Sequence, residues 1–279
     1  MREIKAIEIT KAVIGLVKRA NFSLRDDVLL VLRRAYSGER NSRAKKILKA
    51  ILDNAAYAKQ ENLAICQDTG LPVVFVEVGQ DVKISGDLKT AINKGINDGY
   101  KKYALRNSIV ADPLLRGNPK FSPCIIHIDL VRGNKIKLTL LPKGFGCENK
   151  SQLKMFKPTA SLEEIKNFIV EAVKSAGADA CPPYVVGVGI GGTADYASLM
   201  AKKALLRTID HRPSTIDHWR CLENGLLSEI NKLNIGPMGL GGKTTVLAVN
   251  IQTHPTHIAG LPVAVNISCH ALRSAEVVL

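Results

Sequence analysis

Aromatic residues, closely spaced cysteines and long apolar runs are all scarce in this sequence of 279 residues. Aromatic side chains make up 5% of the chain, and Trp219 is the only tryptophan. No two of the six cysteines form a C-x-x-C pair. No apolar run approaches the roughly 20 residues that a bilayer span requires. A membrane-spanning protein is therefore not expected.

The N-terminal segment has little resemblance to a targeting signal. MREIKAIEITK alternates charged and apolar side chains, unlike a cleavable signal peptide. The cysteines are scattered through a chain that is too large to need disulfides. We therefore expect a protein of the reducing cytoplasm, in which each cysteine is either buried and inert or a metal ligand.

The formal net charge is +14, but no block of five or more cations occurs. A segment that grips nucleic-acid phosphates usually contains such a block, so nucleic-acid binding is not expected. A diffuse positive field that attracts a small dicarboxylate fits at least as well, and a solubilising surface is the commonest cause of such a charge. Hydrophobic residues make up 46% of the chain, which is typical of a globular protein with a buried core.

Helices are predicted first, followed by mixed strands and helices. Apolar residues at helical spacing indicate helices over about 4–17, 26–37 and 42–60, and Ser161-x-x-Glu164 is a capping box for another that reaches about 176. Further helices are predicted over 85–104, 194–207 and 215–233, and strands over 71–78, 184–189, 244–251 and 261–268. This order predicts an α/β or α+β fold with a mixed sheet, as one domain over 1–279 that is mostly helical over 1–62 and mixed over 63–279.

A β-hairpin is predicted near the middle of the chain. Residues 124–131 and 135–141 alternate apolar and polar side chains, as half-buried strands do. Gly133-Asn134 lies between them and is a strong turn signal.

Two glycine-rich segments suggest nucleotide binding. Gly187–Gly192 satisfies G-x-G-x-x-G between a strand and a helix, but a dinucleotide fold also needs a second strand that ends in an acid about 20 residues later. Asp210 has that spacing, but the preceding segment is too short for a strand; we favour close packing of a helix on a strand. Gly241–Thr244 resembles part of a P-loop, but Pro237 replaces the first glycine and the next residues favour a strand.

Three cysteines occur at predicted junctions between elements, where binding residues tend to gather. These are Cys66 in ICQDTGLP, Cys181 in CPPY and Cys269 in ISCH. A [4Fe–4S] cluster normally takes four thiolates, so three would leave one iron open to act as a Lewis acid. Cys124 and Cys221 lie inside a predicted strand and helix and are interpreted as packing residues, and Cys147 remains ambiguous.

Six motifs together resemble the class I iron–sulfur fumarate hydratases and the related L-tartrate dehydratases. They are ICQDTG at 65–70, LRNSIVADPL at 105–114, PKGFGCENKS at 142–151, ACPPYVVGVGIGGT at 180–193, GPMGLGGKTT at 236–245 and HIAGLPVAVNISC at 257–269. The resemblance covers almost the whole chain. It is to the separate alpha subunit, which corresponds to the N-terminal domain of the single-chain forms.

The resemblance implies a set of site residues. Cys66, Cys181 and Cys269 would hold a [4Fe–4S] cluster with one labile iron. Gln67, Arg106 and the Gly146 backbone would bind substrate, Asp68 would be the proton donor, and His257 would be the active-site histidine. An arginine suits a carboxylate because its guanidinium can donate two parallel hydrogen bonds.

The resemblance also implies an activity and partners. The activity would be reversible hydration of fumarate to (S)-malate, or alternatively dehydration of L-tartrate, and the base would lie on a separate beta subunit. Two alpha subunits, dimerised, would assemble with two beta subunits. A non-enzymatic scaffold that binds anions or a cluster is the remaining alternative. One departure stands out, because Cys147 occupies a position where the family usually has serine.

Overall fold

The computed structural model describes residues 2–209 and 217–279. Asp210, the acid considered for dinucleotide binding, lies outside the described residues. The α-helices are α1 Ala6–Phe22, α2 Asp26–Gly38, α3 Ser42–Glu61, α4 Leu88–Lys102, α5 Phe145–Glu148, α6 Leu162–Ala176, α7 Ala194–Ala204 and α8 His218–Asn231. The strands are β1 Arg2–Lys5, β2 Leu71–Gly79, β3 Val82–Ser85, β4 Ile125–Val131, β5 Ile136–Lys143, β6 Gln152–Phe156, β7 Tyr184–Gly191, β8 Val246–His254, β9 Leu261–Ser268 and β10 Ala275–Val278.

The described chain forms two compact units, each built from separate segments of sequence. Unit 1 contains the described residues through Arg25, Ala55–Phe145 and Arg273–Leu279. Unit 2 contains Asp26–Asn54 and Gly146–Leu272. The α/β fold class with mixed sheets is confirmed, whereas the single domain over 1–279 stays a prediction.

Unit 1 consists of helices packed on a four-stranded sheet of order β10-β5-β2-β4. β2 pairs in parallel with β4 and antiparallel with β5. The buried side chains of α1 and α4 form one apolar core with those of β2 and β5. The two helices approach closely because Gly95 of α4 leaves room for Val13 of α1. A Cβ at Gly95 would lie 2.7 Å from the Val13 Cβ.

Unit 2 contains a four-stranded sheet of order β6-β9-β7-β8. β7 is parallel to β8 and antiparallel to β9, so it is hydrogen-bonded on both sides. Helices α6 and α8 contribute to the main core over this sheet, together with Val186 and Val188 of β7. All eight residues of β7 are buried.

The G-x-G-x-x-G segment serves helix packing, as favoured from the sequence. Gly187 and Gly189 alternate with Val186 and Val188 along β7 and therefore occupy the other face of the sheet. Cβ atoms built at Gly187 and Gly189 would lie 2.0 Å from the carbonyl oxygens of Ala201 and Ala197 in α7. Only glycine permits this approach of helix backbone to strand backbone.

The hairpin predicted at residues 124–141 is wrong in its pairing, although both strands exist. β4 and β5 are not neighbours, because β2 lies between them and bonds to both. The residues after β2 also form hydrogen bonds with backbone carbonyls in and next to the expected turn. The N–H groups of Gln80 and Asp81 donate to the carbonyls of Val131 and Gly133 at 2.8 and 3.0 Å.

Several short elements had no prediction, and the first helix begins later than expected. Residues 2–5 form strand β1, paired in parallel with β3, so α1 begins at Ala6. The capping box of α6 is confirmed, because Ser161 and Glu164 exchange hydrogen bonds at its N-terminus. No helix in the described part of the chain combines the length and apolar character needed to cross a bilayer.

A Gly189→Ala substitution should destabilise unit 2, because its Cβ would overlap the Ala197 carbonyl oxygen of α7. We expect a loss of about 1–3 kcal/mol from overpacking. Gly225→Ala in α8 is the matched control, since its Cβ would meet no atom within 4 Å. It should gain up to about 1 kcal/mol from helix propensity. Urea denaturation measures both, and equal stabilities for the two variants would contradict the packing role of Gly189.

Candidate functional site

The segment after α3 forms a tight polar turn in unit 1 that presents Asp68. The Asp68 carboxylate accepts hydrogen bonds from the backbone N–H groups of Gly70 at 3.0 Å and Phe145 at 2.9 Å. Gly70 has a φ of +76°, which favours glycine. Cys66 and Asp68 are half-buried, and Gln67 between them is exposed. One turn thus carries three of the predicted site residues.

Thr69 connects this turn to Arg106. The Thr69 hydroxyl accepts a hydrogen bond from the Arg106 N–H at 3.1 Å and lies 3.3 Å from the Arg106 carbonyl oxygen, to which it can donate. Thr69 is only 3% exposed, whereas Arg106 is exposed. The backbone of the predicted carboxylate-binding arginine is therefore fixed beside Asp68.

Buried polar residues also form hydrogen bonds with the backbone of this turn. The Tyr100 hydroxyl donates to the Thr69 carbonyl at 2.9 Å, and Tyr100 is 1% exposed. Burial raises the pKa of Tyr100 above its ordinary value, so the hydroxyl stays a donor. The Ile65 N–H donates to the carbonyl of Asn21 at 3.0 Å, and the Arg273 guanidinium donates to the carbonyl of Asp68 at 2.7 Å.

A cavity of about 420 Å³ opens beside the turn within unit 1. Its size falls in the usual range for small-molecule sites. Asp68 and Arg106 both line it, so an acidic and a basic residue share one space. Its other lining residues are Leu71, Asn107, Ser108, Ile109, Val110, Arg116, Pro119 and Phe145.

Cys181 and Cys269 lie together in unit 2. Cys181 precedes the start of β7, Cys269 follows the end of β9, and the antiparallel pair Val185–Ser268 places these two strand ends side by side. The carbonyl of Cys181 accepts a hydrogen bond from the N–H of His270 at 3.4 Å. Both cysteines are half-buried. The positive φ of Cys181, 58°, marks a sharp turn there.

Gly146, the predicted substrate-binding glycine, lies on a short segment of unit 2. Gly146 is exposed in α5, and a Cβ built on it would lie 3.8 Å from the carbonyl oxygen of Asp179, an ordinary contact. The next residue, Cys147, is buried, and its thiol donates to the carbonyl of Ala180 at 3.3 Å. Cys147 therefore lies against the residue that precedes Cys181.

His257 lies at the opposite end of the unit 2 sheet from Cys181 and Cys269. It belongs to the turn between β8 and β9, and β9 extends for eight residues from that turn to the cysteine end, roughly 25 Å of strand. Its Nδ1 accepts the N–H of Ala259 at 3.1 Å, so a neutral ring carries its proton on Nε2. Nearby, His254 packs edge-on against Tyr196.

The six cysteines all lie in the described part of the chain, and none forms a disulfide. Cys124 is buried in the unit 1 core, and burial raises the pKa of its thiol to about 12, as expected for a packing residue. Cys221 is exposed in α8. Among residues 2–209 and 217–279, no three His, Cys, Asp or Glu side chains converge on a single metal ion. A four-iron cluster requires a different geometry, because each thiolate binds a separate iron.

Sequence reasoning missed the residues that hold the Asp68 turn. Tyr100 lies inside a predicted helix, and Arg273 lies in a short C-terminal segment without a motif. Nothing in their local sequence indicates a contact with residues so far away in the chain. Arg116 in the cavity wall was also missed; its φ of 65° is visible only in the structure.

Comparison with known proteins places this chain among hydro-lyase subunits. Residues 10–278 match the family model described as fumarate hydratase (Fumerase). A Methanocaldococcus jannaschii protein provisionally named L(+)-tartrate dehydratase subunit alpha is 42% identical over 96% of each chain. L(+)-tartrate dehydratase subunit alpha of Escherichia coli strain UTI89 is 30% identical over 95% of this chain and 89% of its own. The namesake in Shigella sonnei is 29% identical with the same coverage.

Thr69→Val should destabilise the turn, because valine keeps the shape of threonine but cannot bond the backbone of Arg106. We expect a loss of about 1–2 kcal/mol, since the Arg106 N–H loses its partner. Thr69→Ser keeps the hydroxyl and is the matched control. Urea denaturation of both variants measures the difference, and equal unfolding midpoints would show that the Thr69–Arg106 contact contributes nothing.

Proposed function

Because this chain belongs to the fumarate hydratase (Fumerase) family, as an alpha-type domain, we propose that it is the alpha subunit of an iron–sulfur hydro-lyase that hydrates fumarate to (S)-malate reversibly. The iron–sulfur assignment is carried by one observation, the meeting of Cys181 and Cys269 at adjacent ends of β7 and β9. Cys66 completes the ligand set in this proposal.

The chemistry of the donor set fits a [4Fe–4S] cluster. Thiolates are the preferred ligands of iron–sulfur clusters. The three proposed cysteines are half-buried at the ends of elements, where a cluster can be reached, and none is in a disulfide. Cys124 is a poor candidate by comparison, since burial raises its thiol pKa to about 12 and disfavours the thiolate. When bound, a cluster held by three thiolates supplies an open iron that acts as a Lewis acid toward substrate oxygen.

The residues of this chain bind the substrate and move one proton. Arg106 donates two hydrogen bonds to a substrate carboxylate, and the Gly146 N–H and Gln67 side chain orient the molecule. Asp68 holds the proton that leaves with the hydroxyl oxygen as water. Its carboxylate is held by the Gly70 and Phe145 N–H groups, so its direction is fixed before substrate binds.

The other half of the reaction requires a second chain in this proposal. The base that removes the C3 proton and further cations for the distal carboxylate lie on a beta subunit. The relatives are named as alpha subunits, which supports such a partner. We also propose that two alpha subunits dimerise within a heterotetramer in the cytoplasm. His257 then acts on the substrate of the second copy, because the β9 strand separates it from Cys181 and Cys269 of its own chain.

L-tartrate is the second candidate substrate, since the relatives reported above carry the name L(+)-tartrate dehydratase. Tartrate differs from malate by one hydroxyl, and its dehydration yields oxaloacetate. A site that hydrogen-bonds an extra hydroxyl discriminates strongly against a substrate that lacks it. Selectivity between the two acids is therefore measurable as a ratio of kcat/KM values.

The alpha subunit, reconstituted anaerobically with iron and sulfide, should be inactive alone and active after mixing with its cognate beta subunit. The assay follows the ultraviolet absorbance of fumarate when fumarate or (S)-malate is the substrate, and the oxaloacetate formed when either tartrate enantiomer is the substrate. The complex without iron is the control. Full activity of the alpha subunit alone would contradict the division of the site between subunits. A cluster-loaded complex that transforms none of these acids would favour the scaffold alternative.

Each of the substitutions Cys66→Ser, Cys181→Ser and Cys269→Ser should lower the iron retained after reconstitution at least about tenfold. Even the loss of a residue that only hydrogen-bonds to a metal ligand lowers metal affinity by about that factor. Cys221→Ser and Cys147→Ser are matched controls, since neither cysteine belongs to the proposed ligand set. Iron per chain and visible absorbance are measured on gel-filtered protein. Retention of full iron by any of the three variants would remove that cysteine from the ligand set.

A further inference from the structure

Arg273 is a buried cation with incomplete hydrogen bonding. It is the first residue of the last segment of unit 1, two positions before β10, and it is 3% exposed. Its Nη2 donates to the Asp68 carbonyl oxygen at 2.7 Å. Its Nε and Nη1 atoms are fully buried and have no hydrogen-bond partner among the described residues.

A buried arginine with unpaired donors lowers the stability of the fold. Burial of a charge costs several kcal/mol unless the charge is paired and its donors are satisfied. Asp68, whose backbone Arg273 contacts, directs its carboxylate to the N–H groups of Gly70 and Phe145, and its carbonyl oxygen accepts the hydrogen bond from Arg273. An apolar side chain at position 273 would fill the same space without this penalty. Among the described residues, the hydrogen bond to the Asp68 carbonyl is the side-chain hydrogen bond that favours arginine there.

The bond holds the backbone from which the Asp68 side chain projects. Arg273 holds the carbonyl of Asp68, and Tyr100 holds the carbonyl of Thr69, so two successive peptide groups are fixed from the buried side. Asp68 meanwhile lines the cavity together with Arg106. A rotation of the Asp68–Thr69 peptide would move that carboxylate relative to Arg106.

We propose that Arg273 is a positioning residue that fixes the Asp68–Thr69 peptide and so aims the Asp68 carboxylate into the substrate cavity. This inference rests on the proposed function in one respect, that Asp68 serves a hydro-lyase site. Arg273 touches neither the cavity nor the reacting atoms, and it acts through the turn. The assignment gives a function to a buried charge that packing does not require.

Arg19 provides a matched control within the same unit. Its Nη2 also donates to a backbone carbonyl at 2.7 Å, that of Glu276, but this bond is exposed and its acceptor lies in β10 instead of in the Asp68 turn. Arg273→Met and Arg19→Met therefore remove the same kind of bond. Arg273→Lys keeps the charge and one donor, and Arg273→Ala leaves a cavity that added guanidinium ion can enter.

In the reconstituted alpha–beta complex, we expect Arg273→Met to lower kcat per bound cluster about tenfold or more, because small misplacements of reacting groups cost up to about a hundredfold. KM should change less than kcat. Arg273→Lys should fall between wild type and Arg273→Met. Guanidinium should restore part of the kcat of Arg273→Ala, whereas sodium chloride at equal ionic strength should not. Arg19→Met should retain the wild-type kcat per cluster.

Amide hydrogen exchange on the alpha subunit supplies a readout that needs no turnover. Arg273→Met should accelerate exchange in the peptide that covers Thr69–Leu71, and Arg19→Met should not. Failure of the proposed function appears as a wild-type complex that transforms no acid, and exchange still tests Arg273 in that case. Unchanged exchange in the turn would overturn the inference. So would variants that lose stability or iron while kcat per cluster stays at the wild-type value. If Arg273→Met does not fold, Arg273→Lys decides by the same measurements.

Discussion

The antiparallel pairing of β9 with β7 is the constraint on which the candidate site depends. Cys181 and Cys269 are separated by most of unit 2 in sequence, and no close spacing of the C-x-x-C kind brings them together. The pairing of Val185 with Ser268 sets the register, and a shift by one residue would turn every side chain of β9 to the other face. Glycines at 187 and 189 admit α7 onto β7, so packing of that helix helps to fix the central strand. Core packing in unit 2 thus determines the positions of two thiols.

Unit 1 positions its proposed site residues by a different means. The Asp68 turn has no regular structure of its own, and two of its backbone carbonyls accept hydrogen bonds from the side chains of Tyr100 and Arg273. The Thr69 hydroxyl in turn bonds the backbone of Arg106. Buried backbone groups must find partners, and here side chains from remote segments provide them. The arrangement holds Asp68 and Arg106 on one cavity wall. Removal of either side-chain donor would leave a buried backbone carbonyl of the turn without its hydrogen bond.

Local patterns predicted most of the elements, and distant pairings were the part that sequence could not supply. The capping box at Ser161, the β-branched run of β2 and the alternation in β4 and β5 each depend on residues close in sequence, and each element was confirmed. The hairpin was wrong because β2, more than 50 residues earlier, competes for the same backbone groups. Strands β6 and β10 pair only with distant partners. The cysteines at element ends were identified from their sequence context and from the family resemblance. Arg273 and Tyr100 lie in no such motif, so their contacts with the Asp68 turn were not predicted.

The environment of each thiol distinguishes its chemistry better than its spacing does. Cys124 lies within an apolar core, where burial raises its pKa to about 12 and makes a thiolate unfavourable. Cys147 is also buried, and its thiol donates a hydrogen bond to the carbonyl of Ala180. Cys66, Cys181 and Cys269, the proposed cluster ligands, instead lie half-buried where a helix ends or a strand begins or ends. The proposed metal centre therefore needs no local motif, because the strand register and the turns would supply the spacing that C-x-x-C supplies elsewhere.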